Sequence, residues 1–212
     1  MHGHIRNVDD VAHAFAALVA ESAPSSIALS GGSTARRSYE ALAAADLAWG
    51  GIDVYFGDER WVSVTDPESN EGMARAVLLD RVHPRAVHSL REAGSTIEAA
   101  ADAYDATIAS APPIDLVHLG LGPDGHTASL FPGSPALDVA DRLVVTNGDD
   151  LHPQLRLTFT FTALARARLV VFTVAGAEKR AAFARVRDGD DLPAARVTAG
   201  SVVWLVDTAA AG

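Results

Sequence analysis

Two hydrophobic periodicities alternate along the chain and divide it into predicted helices and strands. Between residues 8 and 21, apolar side chains recur on one helix face, and Asp9 and Asp10 occupy the first turn, where acidic side chains stabilise a helix. Short apolar runs bounded by glycine, proline or charged residues predict strands. The predicted helices cover residues 8–21, 35–45, 71–79, 96–108 and 178–186. The predicted strands cover residues 26–30, 52–56, 114–119, 142–146, 154–159, 168–174 and 202–206.

The order of these elements predicts the fold class. Strands alternate with helices, and parallel neighbours in a sheet need such crossover connections. We therefore expect an α/β fold with a mainly parallel, Rossmann-like sheet covered by helices on both faces. Because 212 residues fit one large domain better than two, residues 1–212 are expected to form a single domain.

Composition and charge narrow the range of functions. Hydrophobic residues make up 49% and charged residues 21% of the chain, as in globular proteins. The absence of cysteine excludes disulfides, thiolate zinc sites, iron–sulfur clusters and cysteine nucleophiles. The net charge of -10 has the wrong sign for holding nucleic acid or anionic lipid, so we predict neither a nucleic-acid nor a membrane partner. An anionic ligand must then be held by a local cluster of positive groups.

The chain carries no apolar run close to the roughly 20 residues that span a bilayer. Acidic residues near its start interrupt the apolar core that an export signal needs. We therefore expect a soluble, cytoplasmic protein that is a monomer or a small homo-oligomer. His2 and His4 lie at a chain end that we expect to be frayed, and we assign them no role as a metal pair.

A glycine turn follows the predicted strand 26–30 and precedes a predicted helix. Ligands of open α/β sheets bind beyond the carboxyl ends of the strands. Gly32 lets the backbone approach an anion there, and Ser33, Thr34 and the free N–H groups of the helix start can bind anion oxygens. The turn therefore resembles a phosphate-binding site. The alternative is an ordinary turn in which Ser33 or Thr34 is the N-cap of the helix.

A charged segment follows the predicted strand 52–56. Asp58, Glu59 and Arg60 come in direct succession, and Asn70 stands near the start of the next predicted helix. These side chains are candidates to contact substrate. A solvated turn whose charges pair internally is the alternative interpretation.

A long loop rich in glycine and proline, residues 120–133, follows the predicted strand 114–119. It contains Asp124 and His126, and its small and rigid residues indicate a fixed shape that presents a carboxylate and an imidazole. The alternative is a histidine with a purely structural role. We predict no metal, because these two side chains alone do not make a metal site and no third ligand follows at suitable spacing.

Two basic residues of interest lie in separate segments of the C-terminal half of the chain. Arg156 belongs to a predicted strand, and Lys179 lies at a predicted helix start. Lys179 is the only lysine among 17 basic residues, which favours a point-charge contact to phosphate over chance. A solvated surface lysine is the alternative.

Taken together and in order, these motifs resemble the 6-phosphogluconolactonase family, within the wider superfamily that includes glucosamine-6-phosphate isomerase. The resemblance covers nearly the whole chain. Two features are similar to the lactonase branch of this superfamily. One is the Asp-Glu-Arg triplet followed by Ser-Asn, and the other is the Ser-Leu-Phe-Pro-Gly end of the long loop. The motifs are Ser-Gly-Gly-Ser-Thr at 30–34, Asp-Glu-Arg-Trp-Val at 58–62, Ser-Asn at 69–70, Gly-x-Gly-x-Asp-Gly-His-x-Ala-Ser-Leu-Phe-Pro-Gly at 120–133, Arg-x-Thr at 156–158 and Gly-x-x-Lys at 176–179.

This resemblance implies hydrolysis of 6-phosphoglucono-δ-lactone to 6-phosphogluconate in the oxidative pentose phosphate pathway, without a cofactor. It implies a general-base role for His126, which Asp124 would orient, and Arg60 would donate to the carbonyl oxygen or to substrate hydroxyls. The remaining expected substrate-binding residues are Gly32, Ser33, Thr34, Asp58, Asn70, Arg156 and Lys179, with the 6-phosphate against the glycine turn and the two cations.

Two other functions remain compatible with the sequence. A glucosamine-6-phosphate isomerase and deaminase would use the same phosphate site and would release ammonia and fructose-6-phosphate. A non-catalytic sugar-phosphate sensor would bind ligand without turnover.

Overall fold

A seven-stranded parallel sheet forms the centre of the computed structural model, which describes residues 1–91, 94–148 and 154–212. Its strands are β1 (His4–Val8), β2 (Ser26–Leu29), β3 (Asp53–Phe56), β5 (Ala86–Val87), β6 (Leu116–Gly120), β9 (Leu169–Val174) and β10 (Ser201–Asp207). The spatial order is β1-β10-β9-β6-β2-β3-β5, and every pair of neighbours is parallel. The central strands are almost wholly buried, which is why they are continuous apolar runs.

A second, three-stranded sheet is antiparallel and adjoins the carboxyl end of β3. Its strands are β4 (Asp58–Arg60), β7 (Val144–Asn147) and β8 (Arg156–Phe159), in the order β4-β8-β7. Gly57 joins the two sheets, because its N–H donates to the Leu29 carbonyl (2.8 Å) and its carbonyl accepts from the Phe159 N–H (2.8 Å). In the β4–β8 register Arg60 lies opposite Arg156.

The helices cover both faces of the parallel sheet. They are α1 (Val11–Ser22), α2 (Ser33–Leu42), α3 (Asn70–Ala74), α4 (Asp80–Val82), α5 (Ile97–Ser110), α6 (Phe161–Ala165), α7 (Arg180–Asp188), α8 (Pro193–Arg196) and α9 (Thr208–Ala211). The chain passes through α2 from β2 to β3 in one direction across the sheet, and through α7 from β9 to β10 in the other. Right-handed crossovers therefore place α2 and α7 on opposite faces. A π-helical turn, Arg75–Leu79, joins α3 to α4.

The fold class predicted from the sequence is confirmed, with three local corrections. Residues 142–146 and 154–159 were expected in the parallel sheet, but they form strands β7 and β8 of the second sheet, in which β8 pairs antiparallel with both β4 and β7. The charged segment Asp58–Arg60, expected as a loop, is the strand β4. The N-terminal segment expected to be frayed forms the edge strand β1, and the Trp204 indole donates to the His2 carbonyl (2.9 Å).

Within the described residues, no helix combines the length and apolar character needed to cross a membrane.

Candidate active site

One cleft collects most of the side chains singled out in the sequence. It lies beyond the carboxyl ends of β2, β6 and β9, where loops leave the parallel sheet, and β4 and β8 supply another part of its lining. The predicted residues that line it are Gly32, Asp58, Arg60, Asn70, His126, Arg156 and Lys179. Ser33 and Thr34 line an adjoining recess, which shares Gly32 and Lys179 with the cleft. Asp124 does not line the cleft, but its carboxylate is hydrogen-bonded to Nδ1 of His126.

The glycine turn leaves the start of α2 open towards the recess. Gly32 is the N-cap residue with a φ of 97°, and among the described residues no side chain caps the helix. The alternative in which Ser33 or Thr34 is the N-cap is therefore wrong. No described atom lies within 4 Å of the position that a Cβ on Gly32 would take, so a ligand has room there. The uncapped N–H groups and the positive end of the helix dipole favour an anion at this point.

The first glycine of the turn serves close packing. A Cβ on Gly31 would overlap the side-chain amide of Asn70, so only glycine lets the turn approach this residue. Asn70 in turn donates through Nδ2 to Asp58 Oδ1 (3.1 Å) and accepts from the Arg60 guanidinium through Oδ1 (2.6 Å). The glycine turn, residues 30–34, and the charged segment Asp58–Arg60 are thus linked through Asn70.

Glu59 organises the charged segment from inside the protein. Its carboxylate accepts from the backbone N–H groups of Arg60, Asn70 and Glu71 (2.7–2.8 Å) and from the Ser69 hydroxyl (2.9 Å). Burial raises the pKa of Glu59, and these hydrogen bonds oppose that rise. Glu59 is 2% exposed. Its carboxylate therefore bonds within the protein, as one alternative expected, but the segment is not a solvated turn.

Asp58 and Arg60 flank Glu59 and reach the cleft. Asp58 is buried and accepts from the Ser129 hydroxyl through Oδ2 (2.7 Å) as well as from Asn70. Arg60 also donates to the Glu68 carbonyl (3.0 Å), whereas its buried Nε has no hydrogen-bond partner among the described residues. A buried N–H without a partner costs free energy, so a ligand that accepts from it gains a hydrogen bond.

His126 and Asp124 form a hydrogen-bonded pair in the long loop. His126 Nδ1 lies 2.6 Å from Asp124 Oδ1, and the His126 backbone N–H donates to the same oxygen (3.1 Å). Partial burial acts to raise the pKa of Asp124, but the hydrogen bonds and charge of His126 outweigh it, so this pKa lies below its ordinary value. An ionised carboxylate can only accept, so Nδ1 carries a proton, and in the neutral imidazole the lone pair is then on Nε2.

The loop backbone fixes the imidazole in place. Gly122 lies against the His126 ring so closely that a Cβ there would overlap Nδ1 and Cε1. The Gly122 N–H donates to the His126 carbonyl (2.8 Å), and Gly125 closes the turn with a φ of 90°. The edge-to-face contact with Phe131, at 5.0 Å between ring centroids, supports the ring from another side.

Arg156 and Lys179 add positive charge to the cleft. Arg156 is buried on β8, and its guanidinium lies 5.5 Å from the centroid of the Phe131 ring, which also contacts His126. Lys179 ends a short 3-10 turn, Ala177–Lys179, that follows β9 and leads into α7. It is partly buried and borders both the cleft and the recess, so it is not a fully solvated surface lysine.

Several residues of the site were not assigned a role from the sequence. Ser129 belongs to the quoted loop motif and bonds to Asp58, and the Asn147 amide holds the Ser129 carbonyl (2.6 Å). Ser30 lines the cleft and Thr173 lines the recess. Position within the motifs could have indicated Ser30 and Ser129, whereas Asn147 and Thr173 stand in otherwise ordinary strands. Among the described residues, no group of three His, Asp or Glu side chains has the arrangement of a metal site.

Replacing Glu59 with glutamine should lower the free energy of unfolding by about 1 to 2 kcal/mol. The amide would place N–H donors against a backbone N–H that now donates to the carboxylate, and one of the four hydrogen bonds would be lost. Urea unfolding measures the effect, with the exposed Glu21→Gln as the matched control. Equal stability of the two variants would show that Glu59 does not organise this segment.

Comparison with known proteins agrees with this geometry. The family described as glucosamine-6-phosphate isomerases/6-phosphogluconolactonase matches residues 5–204. A 6-phosphogluconolactonase of Synechocystis sp. is 46% identical over 204 residues, covering 89% of this chain and 84% of the relative. One of Nostoc sp. is 43% identical over 199 residues, covering 87% and 82%.

A solved structure shows the same likeness in three dimensions. The crystal structure of 6-phosphogluconolactonase from Leishmania guyanensis superposes with a TM-score of 0.86 at 29% identity, covering 99% of this chain and 98% of that one. Sequence and fold therefore agree over nearly the whole length, and the chain belongs to the glucosamine-6-phosphate isomerase/6-phosphogluconolactonase family.

Proposed function

We propose that this protein hydrolyses 6-phosphoglucono-δ-lactone to 6-phosphogluconate, with residues 1–212 acting as one sugar-phosphate lactonase domain. The observation that carries the proposal is the placement of His126, hydrogen-bonded to Asp124, in the same cleft as an uncapped helix start and the Lys179 ammonium. A base and an anion site in one cleft suit a substrate with a reactive carbonyl at one end and a phosphate at the other. The curated relatives named 6-phosphogluconolactonase support this choice of substrate.

His126 is proposed to act as the general base. Its Nε2 lone pair accepts a proton from water as the water oxygen attacks the lactone carbonyl carbon. Asp124 holds Nδ1 and stabilises the imidazolium that forms. The imidazolium then gives the proton to the ring oxygen as the C–O bond breaks, and the new carboxylic acid releases a proton at neutral pH. The reaction needs no cofactor.

Arg60 is proposed to stabilise the negative charge that develops on the carbonyl oxygen. Its guanidinium is held by Asn70 and by the Glu68 carbonyl, so the group is positioned before substrate binds. Fixed donors of this kind stabilise a transition state more effectively than water, which must reorient. Asp58 accepts a hydrogen bond from Asn70 and so helps to position it. Asp58 also lines the cleft, where it is proposed to accept hydrogen bonds from substrate hydroxyls.

The phosphate is proposed to bind at the recess. The N–H groups and hydroxyls of Ser33 and Thr34 offer donors, and Lys179 and Arg156 offer positive charge. A cleft focuses this local charge, so a chain of net charge -10 can still bind a dianion. Binding energy gained at the phosphate holds the distant lactone carbon against the base.

Proton release from freshly prepared 6-phosphoglucono-δ-lactone tests the proposed function. The rate with protein is corrected for spontaneous hydrolysis and compared with the rate for the unphosphorylated lactone. We expect strong acceleration for the phosphorylated lactone. Release of ammonia from glucosamine-6-phosphate without lactone hydrolysis would assign the isomerase reaction instead, and ligand binding without turnover of either compound would assign a sensor.

Replacing Lys179 with alanine should raise KM for the phosphorylated lactone by about 10-fold or more, with a smaller fall in kcat. The ammonium interacts equally with phosphate in the ground and transition states, because the phosphate is remote from the reacting carbon. Steady-state kinetics on both lactones measures the effect, with the exposed Arg81→Ala as a control for loss of one positive charge. An equal rise in KM for both lactones would contradict the phosphate contact.

A further inference from the structure

A chain of buried polar side chains runs behind the recess and is not used by the proposed chemistry. The Tyr39 hydroxyl of α2 lies 2.8 Å from His118 Nδ1 on β6, and His118 Nε2 lies 2.8 Å from the Thr173 hydroxyl on β9. Tyr39 and His118 are 0% exposed and Thr173 is 2% exposed. Buried polar groups in a parallel sheet are costly unless they are fully hydrogen-bonded, so their presence calls for a reason.

Both ends of this chain reach the proposed phosphate site. At one end, the Tyr39 hydroxyl accepts from the Ser30 N–H (2.7 Å) and lies 3.2 Å from the Ser30 carbonyl oxygen. Ser30 lines the cleft and immediately precedes the glycine turn. At the other end, Thr173 lines the recess together with Lys179. The Tyr39 side chain thus returns from within α2 to hold the backbone just before its own helix begins.

The hydrogen atoms of the chain fit one arrangement in which every contact is satisfied. The Ser30 N–H donates to Tyr39, and Tyr39 donates to the Ser30 carbonyl. His118 Nδ1–H donates to the Tyr39 oxygen, and the Thr173 hydroxyl donates to Nε2. With the proton on Nε2 instead, the one hydroxyl hydrogen of Tyr39 could not serve both His118 and Ser30. All donors are then used internally, which indicates positioning and not direct ligand binding.

The chain stays uncharged near neutral pH. Burial lowers the pKa of His118 to about 3 and raises the pKa of Tyr39 far above its ordinary value. His118 also stacks on Phe15 of α1, with ring centroids 4.1 Å apart. Its contribution is therefore geometric, since it holds the Tyr39 hydroxyl at a fixed distance from the sheet.

We propose that Tyr39 and His118 are positioning residues that fix the Ser30–Gly32 turn in the conformation that receives the phosphate of the substrate. The inference rests on the proposed function, because it assigns the role of one side of that same site. Loss of the Tyr39 hydroxyl frees both backbone groups of Ser30, and the turn can then rotate away from the anion. The cost falls on phosphate binding and leaves the distant base and its carboxylate in place.

The protein contains a matched control for this experiment. The Tyr104 hydroxyl of α5 accepts from the Phe56 N–H (2.9 Å) and lies 3.3 Å from the Phe56 carbonyl oxygen, at the end of the neighbouring strand β3. Tyr104 is 1% exposed, so Tyr39→Phe and Tyr104→Phe each remove a buried hydroxyl that holds the N–H and carbonyl of one residue at a strand end. Among the described residues, only Tyr39 joins its backbone clamp to the recess through His118.

In Tyr39→Phe we expect KM for the phosphorylated lactone to rise by about 5- to 10-fold, with kcat changed less than about 2-fold. Preference for the phosphorylated over the unphosphorylated lactone should fall by the same factor. Tyr104→Phe should also lose thermal stability, because it removes the hydroxyl that holds Phe56, and it should keep that preference. Equal kinetic changes on both lactones in Tyr39→Phe, or the same loss of preference in Tyr104→Phe, would overturn the proposal.

Two further measurements guard against misfolding and against failure of the proposed function. In His118→Asn the side-chain amide can replace Nδ1 as a partner of Tyr39, so this variant should retain more of the phosphate preference than His118→Phe; no difference between the two would count against the role of His118. Calorimetric titration of the parent and Tyr39→Phe with inorganic phosphate measures the affinity of the turn for the anion without any catalytic turnover. If the parent does not hydrolyse the lactone, the proposed function fails, whereas equal phosphate affinities of parent and variant overturn the positioning role.

Discussion

Replacing His126 with alanine should lower kcat for the phosphorylated lactone by about 100-fold or more, with little change in KM. The variant keeps the recess and its positive charge, so substrate should still bind. It loses the lone pair that, in the proposed reaction, accepts the proton of the attacking water. Stopped-flow or steady-state proton release measures kcat.

The surface of the protein offers a control for this substitution. His13 and Asp10 form a comparable imidazole–carboxylate pair on α1, with Nδ1 and Oδ2 2.8 Å apart, but outside the cleft. His13→Ala should leave kcat unchanged. Retention of the parental kcat in His126→Ala would remove His126 from the mechanism, whatever the control shows.

Replacing Gly122 with alanine should lower kcat by about 10- to 100-fold through displacement of the His126 ring. A methyl group at this position overlaps the imidazole, so the ring must shift, and we expect it to lose its 2.6 Å contact with Asp124. The free energy of unfolding should fall much less, because a partly exposed side chain can rotate into solvent. Kinetics and urea unfolding of the same preparation separate the two effects.

Gly57→Ala is the matched control for the Gly122 substitution. A Cβ on Gly57 meets its nearest neighbours, the Leu29 carbonyl and the Phe159 ring, at 3.7 and 3.9 Å, which are ordinary contacts. This variant should keep its activity. Full activity of Gly122→Ala would show that His126 does not need its observed orientation.

Apolar patterning was sufficient to predict most strands and the fold class, and it failed where a strand faces a polar cleft. β4 consists of three charged residues, so it carries no apolar period and resembles a turn. β1 is largely exposed at the edge of the sheet, and its sequence lacks the alternation of a half-buried strand. β7 and β8 were correctly predicted as strands, but periodicity does not specify which strand pairs with which, so their antiparallel sheet was missed.

The candidate site shows the same division between what residue types reveal and what only packing reveals. Parallel strands bring their carboxyl ends to one edge, so glycine turns and charged loops after them could be expected to meet. The contact between Asp124 and His126 and the internal pairing of Glu59 depend on loop geometry, which residue spacing does not determine. Tyr39 and His118 have the burial of core residues, and their hydrogen bonds become visible only when α2, β6 and β9 are packed together.

Gly57 has a consequence for the way in which substrate is received. Its N–H is bonded to the parallel sheet and its carbonyl to the antiparallel sheet. The two sheets that carry the walls of the cleft therefore meet at a rigid joint. The two walls are thus linked before a ligand binds, and in the proposed reaction we expect substrate to enter with side-chain adjustment and without closure of one sheet upon the other. Little conformational entropy would then be lost on binding, and contacts made at the proposed phosphate site would remain available to lower the barrier of the chemical step.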